Sequence, residues 1–171
     1  MYEYAPKPRR IREKIWMSGC LFSGMLSYGF GQILPYPVFY QLFAVIALTG
    51  AVLITVRYLL RDYLYRVEVS ENGDSADFII TEQMGRRRDV VCRISVSDIV
   101  EMIPVSDFSS RELSEKVKKR TFYRYVSQFQ PENAYLLEIF DDEKTYFLEI
   151  CGDERLIFIL SERKKQYLSD I

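Results

Sequence analysis

The feature that most constrains this chain is an uncharged stretch from Ile15 to Val56, with every lysine, arginine, aspartate and glutamate lying outside it. A helix needs about 20 residues to cross the hydrocarbon core of a bilayer. The stretch is too long for one such helix and suits two. We therefore predict transmembrane helices at about residues 15–34 and 38–60. They are joined by a turn at Pro35-Tyr36-Pro37, because two closely spaced prolines end a helix.

Basic residues flank the uncharged stretch on both sides and determine its expected orientation. They are Lys7, Arg9, Arg10, Arg12 and Lys14 before it, and Arg57, Arg61 and Arg66 after it. The connecting turn carries no charge, so the positive-inside rule predicts that both termini are cytoplasmic. Residues 1–14 are then a basic cytoplasmic leader, and the chain is predicted to be a multi-pass protein of the cell inner (plasma) membrane.

Small residues recur within both predicted spans. They are Gly19, Ser23, Ser27 and Gly31 in the first span, and Ala47, Ala51 and Thr55 in the second. Small side chains let helices approach closely in lipid, so these positions are predicted to form the contact between the two helices. No lysine, arginine, aspartate or glutamate lies between Ile15 and Val56, which favours an anchor over an ion path. A pore made by oligomerised hairpins is the alternative.

Beyond residue 64 the spacing of apolar residues changes from helical to alternating, which is typical of strands. Seven short strands are predicted, at residues 65–69, 78–81, 88–94, 99–103, 122–126, 135–140 and 145–150. Asp153 is predicted to cap a C-terminal amphipathic helix that ends at about Leu168. Residues 64–171 are thus predicted to form a cytoplasmic domain of the α+β class.

This order of elements resembles that of the bacterial pleckstrin-homology-like (PH-like) domains found in small membrane-anchored proteins. The local runs that carry the resemblance are Tyr65-x-Val67, Phe78-Ile79-Ile80, Gly85-Arg86, Val90-Val91-Cys92-Arg93-Ile94 and Ser97-Asp98-Ile99. The resemblance implies seven antiparallel strands, forming a bent sheet or partly open barrel, and a binding or scaffolding role without enzymatic activity. The predicted fold class is a membrane protein with an α-helical transmembrane hairpin followed by an α+β PH-like domain.

Two basic clusters are the candidate contacts for an anionic lipid or a protein partner. They comprise Arg86, Arg87 and Arg88 in one cluster, and Lys116, Lys118, Lys119 and Arg120 in the other. Charged residues near a membrane surface are attracted to anionic headgroups. The alternative, which the small number of charges favours, is that the arginines form a solvated hairpin turn. The acidic Glu71, Asp74 and Asp77 in the first hairpin argue against classical phosphoinositide binding.

Catalytic, metal and cofactor sites are not predicted. The chain has no histidine, which removes the commonest general base, and its three cysteines form no CxxC pair. Asp141-Asp142-Glu143 is interpreted as a polar turn, because a hard cation needs ligands from several directions. Nucleic acid is not an expected partner of a chain with net charge −1.

The predicted function is a membrane-anchored PH-like binding or scaffolding module on the cytoplasmic face. Its expected partners are another protein, a second copy of the chain, or the membrane surface. The alternative is a regulatory subunit of a membrane channel or transporter complex.

Overall fold

The computed structural model describes residues 2–7, 9–33, 35–69, 76–118, 120–141 and 144–169. The chain divides into two compact units. The helical unit comprises Pro8–Asp62 and Ser127–Phe129, and the sheet unit comprises Met1–Lys7, Tyr63–Val126 and Gln130–Ile171.

Two helices build most of the helical unit. Helix α1 spans Ile11–Phe30, and helix α2 spans Pro37–Ile54 and continues as a π-helical turn at Thr55–Leu59. The Pro35-Tyr36-Pro37 connection lies between them as the prolines predict, and Pro37 occupies the first helical position, where its fixed φ suits a helix start. Tyr36 adopts a φ of 71°, which is unusual for a residue with a side chain.

The contact between α1 and α2 is built from very small side chains. Ala44 and Ala51 are the buried residues of α2. A Cβ atom added at Gly24 would lie 3.1 Å from the Cγ of Leu48, and one at Gly31 would lie 3.1 Å from the Cβ of Tyr40. These glycines therefore permit the close approach of the helices.

The predicted spacing of this contact is partly wrong. Gly31 and Ala51 take part, but a Cβ atom at Gly19 would have no neighbour within 4 Å. The buried residues of α1 are instead Glu13 and Gly24, and Gly31 is buried directly after its C-terminal end. The helix presents residues three and four apart to its neighbour, whereas a strict interval of four drifts around the helix surface.

The prediction of two transmembrane helices is wrong. Among the described residues only one helix, Pro37–Leu59, is long and apolar enough by composition to cross a membrane. Helix α1 begins at Ile11 and so includes Arg12, Glu13 and Lys14, and its remaining length holds three serines and three glycines. Absence of charge over residues 15–34 was therefore a poor measure of apolar character.

In the described part of the chain, eight strands in two sheets build most of the sheet unit. They are β1 (Tyr2–Tyr4), β2 (Arg61–Val69), β3 (Ala76–Met84), β4 (Arg87–Ser95), β5 (Ile99–Pro104), β6 (Thr121–Tyr125), β7 (Ala134–Asp141) and β8 (Lys144–Cys151). The strand order is β1-β2-β3-β4 in one sheet and β5-β7-β8-β6 in the other. Helix α3 spans Ser110–Val117, and helix α4 spans Glu154–Ser169.

The α+β class agrees with the structure, but the prediction of seven antiparallel strands does not. Strand β1 pairs with β2 through Tyr2–Val67 and Tyr4–Tyr65, and three residues are too short for an alternating pattern to reveal. Strand β6 runs parallel to β8, with Arg124 opposite Glu149. Strand β2 begins at Arg61, four residues before the strand predicted at 65–69.

Both sheets and α4 contribute to one hydrophobic core. Its fully buried side chains include Phe78 and Ile80 from one sheet, Leu148 from the other, and Leu156 and Leu160 from α4. The predicted cap of α4 is confirmed, because Oδ1 of Asp153 accepts a hydrogen bond of 2.8 Å from the backbone N–H of Leu156. The Tyr2 hydroxyl also donates to Asp153, at 3.2 Å from Oδ2.

Candidate functional site: two basic clusters and the polar end of the helical unit

The first basic cluster lies at the end of the β3–β4 hairpin. Gly85 supplies the turn with a φ of 61°, a conformation that glycine adopts without steric cost. The three arginines that follow it are all exposed. In the strand register, Met84 lies opposite Arg87, and Gln83 lies opposite Arg88. The sequence therefore located this turn correctly.

The three arginines differ in their partners. Nε of Arg87 lies 2.6 Å from a carboxylate oxygen of Asp89, and its side chain is 80% exposed. Arg86 and Arg88 form no ion pair with any residue that the structure describes. Two of the three positive charges are thus left uncompensated at the end of the hairpin.

Two members of the second basic cluster, Lys116 and Arg120, form ion pairs within the sheet unit. Lys116 lies 3.5 Å from Glu101 and 5.8 Å from the ring centre of Phe147, which is fully buried. Arg120 forms an ion pair with Glu138, and its guanidinium lies 5.5 Å from the same ring. Both cations lie over the ring of Phe147 in the second sheet, where cation–π contacts stabilise them.

The other members of this cluster contribute less to a binding surface than the sequence predicts. Lys118 is exposed and forms no ion pair within the described part of the chain. Lys119 lies outside the described residues. The two clusters lie on different sheets, the first on β4 and the second beside β6.

Arg10 holds the end of the helical unit at which α2 passes into β2. Its guanidinium donates to the backbone carbonyls of Leu59 and Arg61, the latter at 3.0 Å, and forms an ion pair with Asp62. The carbonyl of Leu59 lies at the end of the helix, where such groups lack partners within the helix, and a cation there satisfies it and the helix dipole. Arg10 therefore has a structural role besides its predicted effect on membrane orientation.

Glu13 is a buried carboxylate in the same part of the helical unit. It is 2% exposed, and its Oε1 accepts a hydrogen bond of 2.8 Å from the backbone N–H of Phe129. Its Oε2 is buried without a hydrogen-bond partner among the described residues. The Phe129 ring packs edge-on against Tyr58, with ring centres 4.3 Å apart. Glutamate side chains are rarely buried unless they are paired, so the burial of Glu13 is an unusual feature of α1.

Sequence reasoning missed Glu13 because the residue was assigned to the charged leader. A signal was available in the helical spacing of residues 13, 17, 20, 24, 27 and 31, which alternates four and three and places Glu13 on the contact face of α1. Nothing in the sequence near Phe129 indicates its partner.

A second buried carboxylate, Glu149, lies in the sheet unit. Its side chain is 8% exposed. It forms an ion pair with Arg124 on the neighbouring parallel strand, with 2.9 Å between Oε2 of Glu149 and Nε of Arg124. Burial raises the pKa of the Glu149 carboxyl, while the positive charge of Arg124 opposes this shift. The pair joins β6 to β8 in addition to the backbone ladder.

The three cysteines are free thiols. Burial raises the pKa of Cys92 and of Cys151, which keeps both thiols protonated and weakly nucleophilic near neutral pH. No group of three or more histidine, cysteine, aspartate or glutamate side chains is placed to hold a metal ion among the described residues, and Asp142 and Glu143 lie outside them.

Comparison of the chain with protein-family models, with curated proteins and with solved structures finds no significant match. The resemblance to bacterial PH-like domains therefore stays a prediction from local motifs.

Proposed function

We propose that this chain is a membrane-anchored binding module, held in the bilayer by α2 and without enzymatic activity of its own. The single observation that supports the proposal most strongly is the distribution of side chains on α2. The buried residues of this helix are the small Ala44 and Ala51, whereas its large apolar side chains are exposed.

The exposed set on α2 is large. It comprises Val38, Phe39, Leu42, Phe43, Val45, Ile46, Leu48, Val52 and Leu53, with Phe39 73% exposed. Leaving such side chains in water forfeits on the order of 10 kcal/mol of burial free energy, which is comparable to the total stability of a domain. A helix whose large apolar side chains stay exposed after it has packed against its neighbour is suited to a lipid environment.

The charges at the two ends of α2 support one orientation. Arg57 and Arg61 lie at its C-terminal end, and Pro35-Tyr36-Pro37 at its N-terminal end carries no charge. The positive-inside rule then favours a cytoplasmic location for the C-terminal end. The β2 strand follows directly, so the proposal assigns the sheet unit to the cytoplasmic side.

A binding role is proposed for the sheet unit because its described surface offers charged and apolar contacts, whereas the chain has no histidine to act as a general base. The partner classes are a protein, a second copy of the chain, or the membrane surface. The resemblance to PH-like domains adds to this proposal.

The test uses membranes from cells that express the full-length chain. These membranes are washed with alkaline carbonate, which removes proteins that are not embedded in the bilayer. The proposal expects the protein to stay in the membrane pellet. A double variant, Val45→Lys with Val52→Lys, places two charges on the outer surface of α2 at a cost of about 2.5–3.5 kcal/mol each, and is expected to shift the protein to the soluble or degraded fraction.

The matched control is Val100→Lys with Phe158→Lys, which changes two exposed apolar residues of the sheet unit. This control is expected to stay in the pellet. Release of the unaltered chain by carbonate, or identical retention of both double variants, would contradict membrane anchoring by α2.

A further inference from the structure

The two faces of the β3–β4 hairpin beyond the core differ in charge. Cross-strand partners share a face, so Thr81 with Val90, and Gln83 with Arg88, lie on one face. Glu82 with Asp89, and Met84 with Arg87, lie on the other. A register shift between Ile80 and Thr81 precedes this part of the hairpin.

The face that carries Arg88 and Val90 has no acidic residue in this register. Val90 is 64% exposed, and Arg88 forms no ion pair with a described residue. The opposite face is compensated, because Arg87 pairs with Asp89 and Glu82 is also acidic. Arg86 adds a second uncompensated cation at the turn.

We infer that the Arg88–Val90 face of this hairpin, together with Arg86, contacts the surface of an anionic lipid bilayer. The inference rests on the proposed membrane anchoring and names the membrane surface as one partner of the sheet unit. Two unpaired guanidinium groups complement anionic headgroups, and the exposed apolar Val90 suits the boundary between headgroups and acyl chains. A protein partner with an acidic surface is an outcome that the test separates.

The opposite face of the hairpin provides an internal reference. Its exposed apolar residue, Met84, is 43% exposed and lies opposite Arg87, whose charge is already paired. Exposed apolar area alone would place Met84 and Val90 in similar roles. The distribution of free charge distinguishes them.

The experiment uses the full-length chain in lipid nanodiscs, with Trp16→Phe to remove the native tryptophan and Val90→Trp to place a probe on the inferred face. Quenching of the probe by brominated lipids reports its contact with the bilayer. The inference expects strong quenching in discs of brominated phosphatidylglycerol and weak quenching in discs of brominated phosphatidylcholine. A second probe at Gln83, on the same face, repeats the measurement if the first variant folds poorly.

Two charge variants provide the decisive comparison in the Val90→Trp background. Arg86→Ala with Arg88→Ala removes the unpaired cations and is expected to weaken partition of the hairpin onto the anionic surface by about 30-fold, as the loss of two arginine contacts implies. Arg87→Ala with Asp89→Ala leaves the net charge unchanged and is expected to leave the quenching unchanged. A probe at Met84 is expected to be quenched less than the probe at Val90.

Equal quenching of the Val90→Trp probe in both lipids, or unchanged quenching after Arg86→Ala with Arg88→Ala, would overturn the inference. Absence of quenching in anionic discs would also overturn it and would leave a protein partner as the ligand of this face. Failure of the chain to co-elute with the discs would instead contradict the proposed anchoring, so the two failures are distinguishable.

Discussion

Oε1 of Glu13, in the first turns of α1, accepts a 2.8 Å hydrogen bond from the backbone N–H of Phe129, which lies 116 positions away in the chain. The segment Ser127–Phe129 belongs to the helical unit, although it connects β6 to β7 in sequence. One carboxylate thus holds a segment that is covalently continuous with two strands of the sheet unit.

Replacing Glu13 with alanine is expected to destabilise this segment. The backbone N–H of Phe129 would lose its acceptor in a partly buried position, at a cost of about 1–3 kcal/mol. Glu13→Gln keeps an acceptor oxygen at the same place and is expected to retain the segment. Hydrogen exchange of residues 127–129 in the full-length chain measures the effect, with Lys14→Ala as an exposed neighbouring control. Equal exchange in Glu13→Ala and the unaltered chain would show that the bond does not hold the segment.

The two basic clusters are expected to respond differently to truncation. Arg120→Ala would leave Glu138, a mostly buried carboxylate, without its cation and would uncover the ring of Phe147. We expect a loss of about 1–2 kcal/mol of unfolding free energy, discounted for the partial exposure of Arg120. Lys118→Ala is expected to change the stability by less than about 0.5 kcal/mol. Thermal unfolding of both variants in a mild detergent provides the comparison, and equal effects would contradict the assigned roles.

The hydroxyl of Tyr65 connects two strands of the second sheet within the core. It donates to the backbone carbonyl of Tyr125 at 2.6 Å and accepts from the backbone N–H of Cys151 at 3.1 Å. Tyr65→Phe removes both bonds and leaves two partly buried backbone groups without these partners, so we expect a loss of about 1–3 kcal/mol. Tyr123→Phe, at an exposed position, is the matched control. A Tyr65→Phe chain as stable as this control would show that the hydroxyl contributes nothing.

High pH is expected to destabilise the sheet unit through its tyrosines. Burial, with a smaller contribution from Cys92, raises the pKa of Tyr125 and of Tyr146 to about 12, from an ordinary value of 10.0. Between these pH values the native state keeps protons that the unfolded chain has lost. Stability therefore falls as pH rises through this window.

Absorbance of tyrosinate during an alkaline titration measures this behaviour. Two groups are expected to ionise at about pH 12 in the folded chain, and Tyr125→Phe is expected to remove one of them. Ionisation of every tyrosine near pH 10 in a chain that remains folded would contradict the burial of Tyr125 and Tyr146.

Local patterns in the sequence predicted most of the sheet unit. Alternation located the segments that became β2 to β8, and Asp153 located the start of α4, because both signals depend on neighbouring residues. The parallel pairing of β6 with β8 depends on a long connection through β7, which no local pattern encodes. Strand β1 was missed because three residues next to a basic segment show no period.

The helical unit was predicted less well for a different reason. Absence of charge identified where both helices lie, but only α2 combines that property with enough apolar side chains. The role of Glu13 depends on Phe129, and the different roles of Arg88 and Arg120 depend on which carboxylates the fold brings near them. Such pairings are set by tertiary structure, so residue type alone could not separate a free cation from a paired one.

The most direct test of the account is the environment of α2 in a bilayer. A nitroxide spin label is attached at Val45→Cys in a full-length chain whose native cysteines are replaced, and the chain is reconstituted in lipid vesicles. The account predicts that collisions with oxygen exceed those with a water-soluble nickel complex at this position, and that the reverse holds for a label at Phe158→Cys, an exposed position of the sheet unit. Nickel collisions as frequent at position 45 as at position 158 would contradict it.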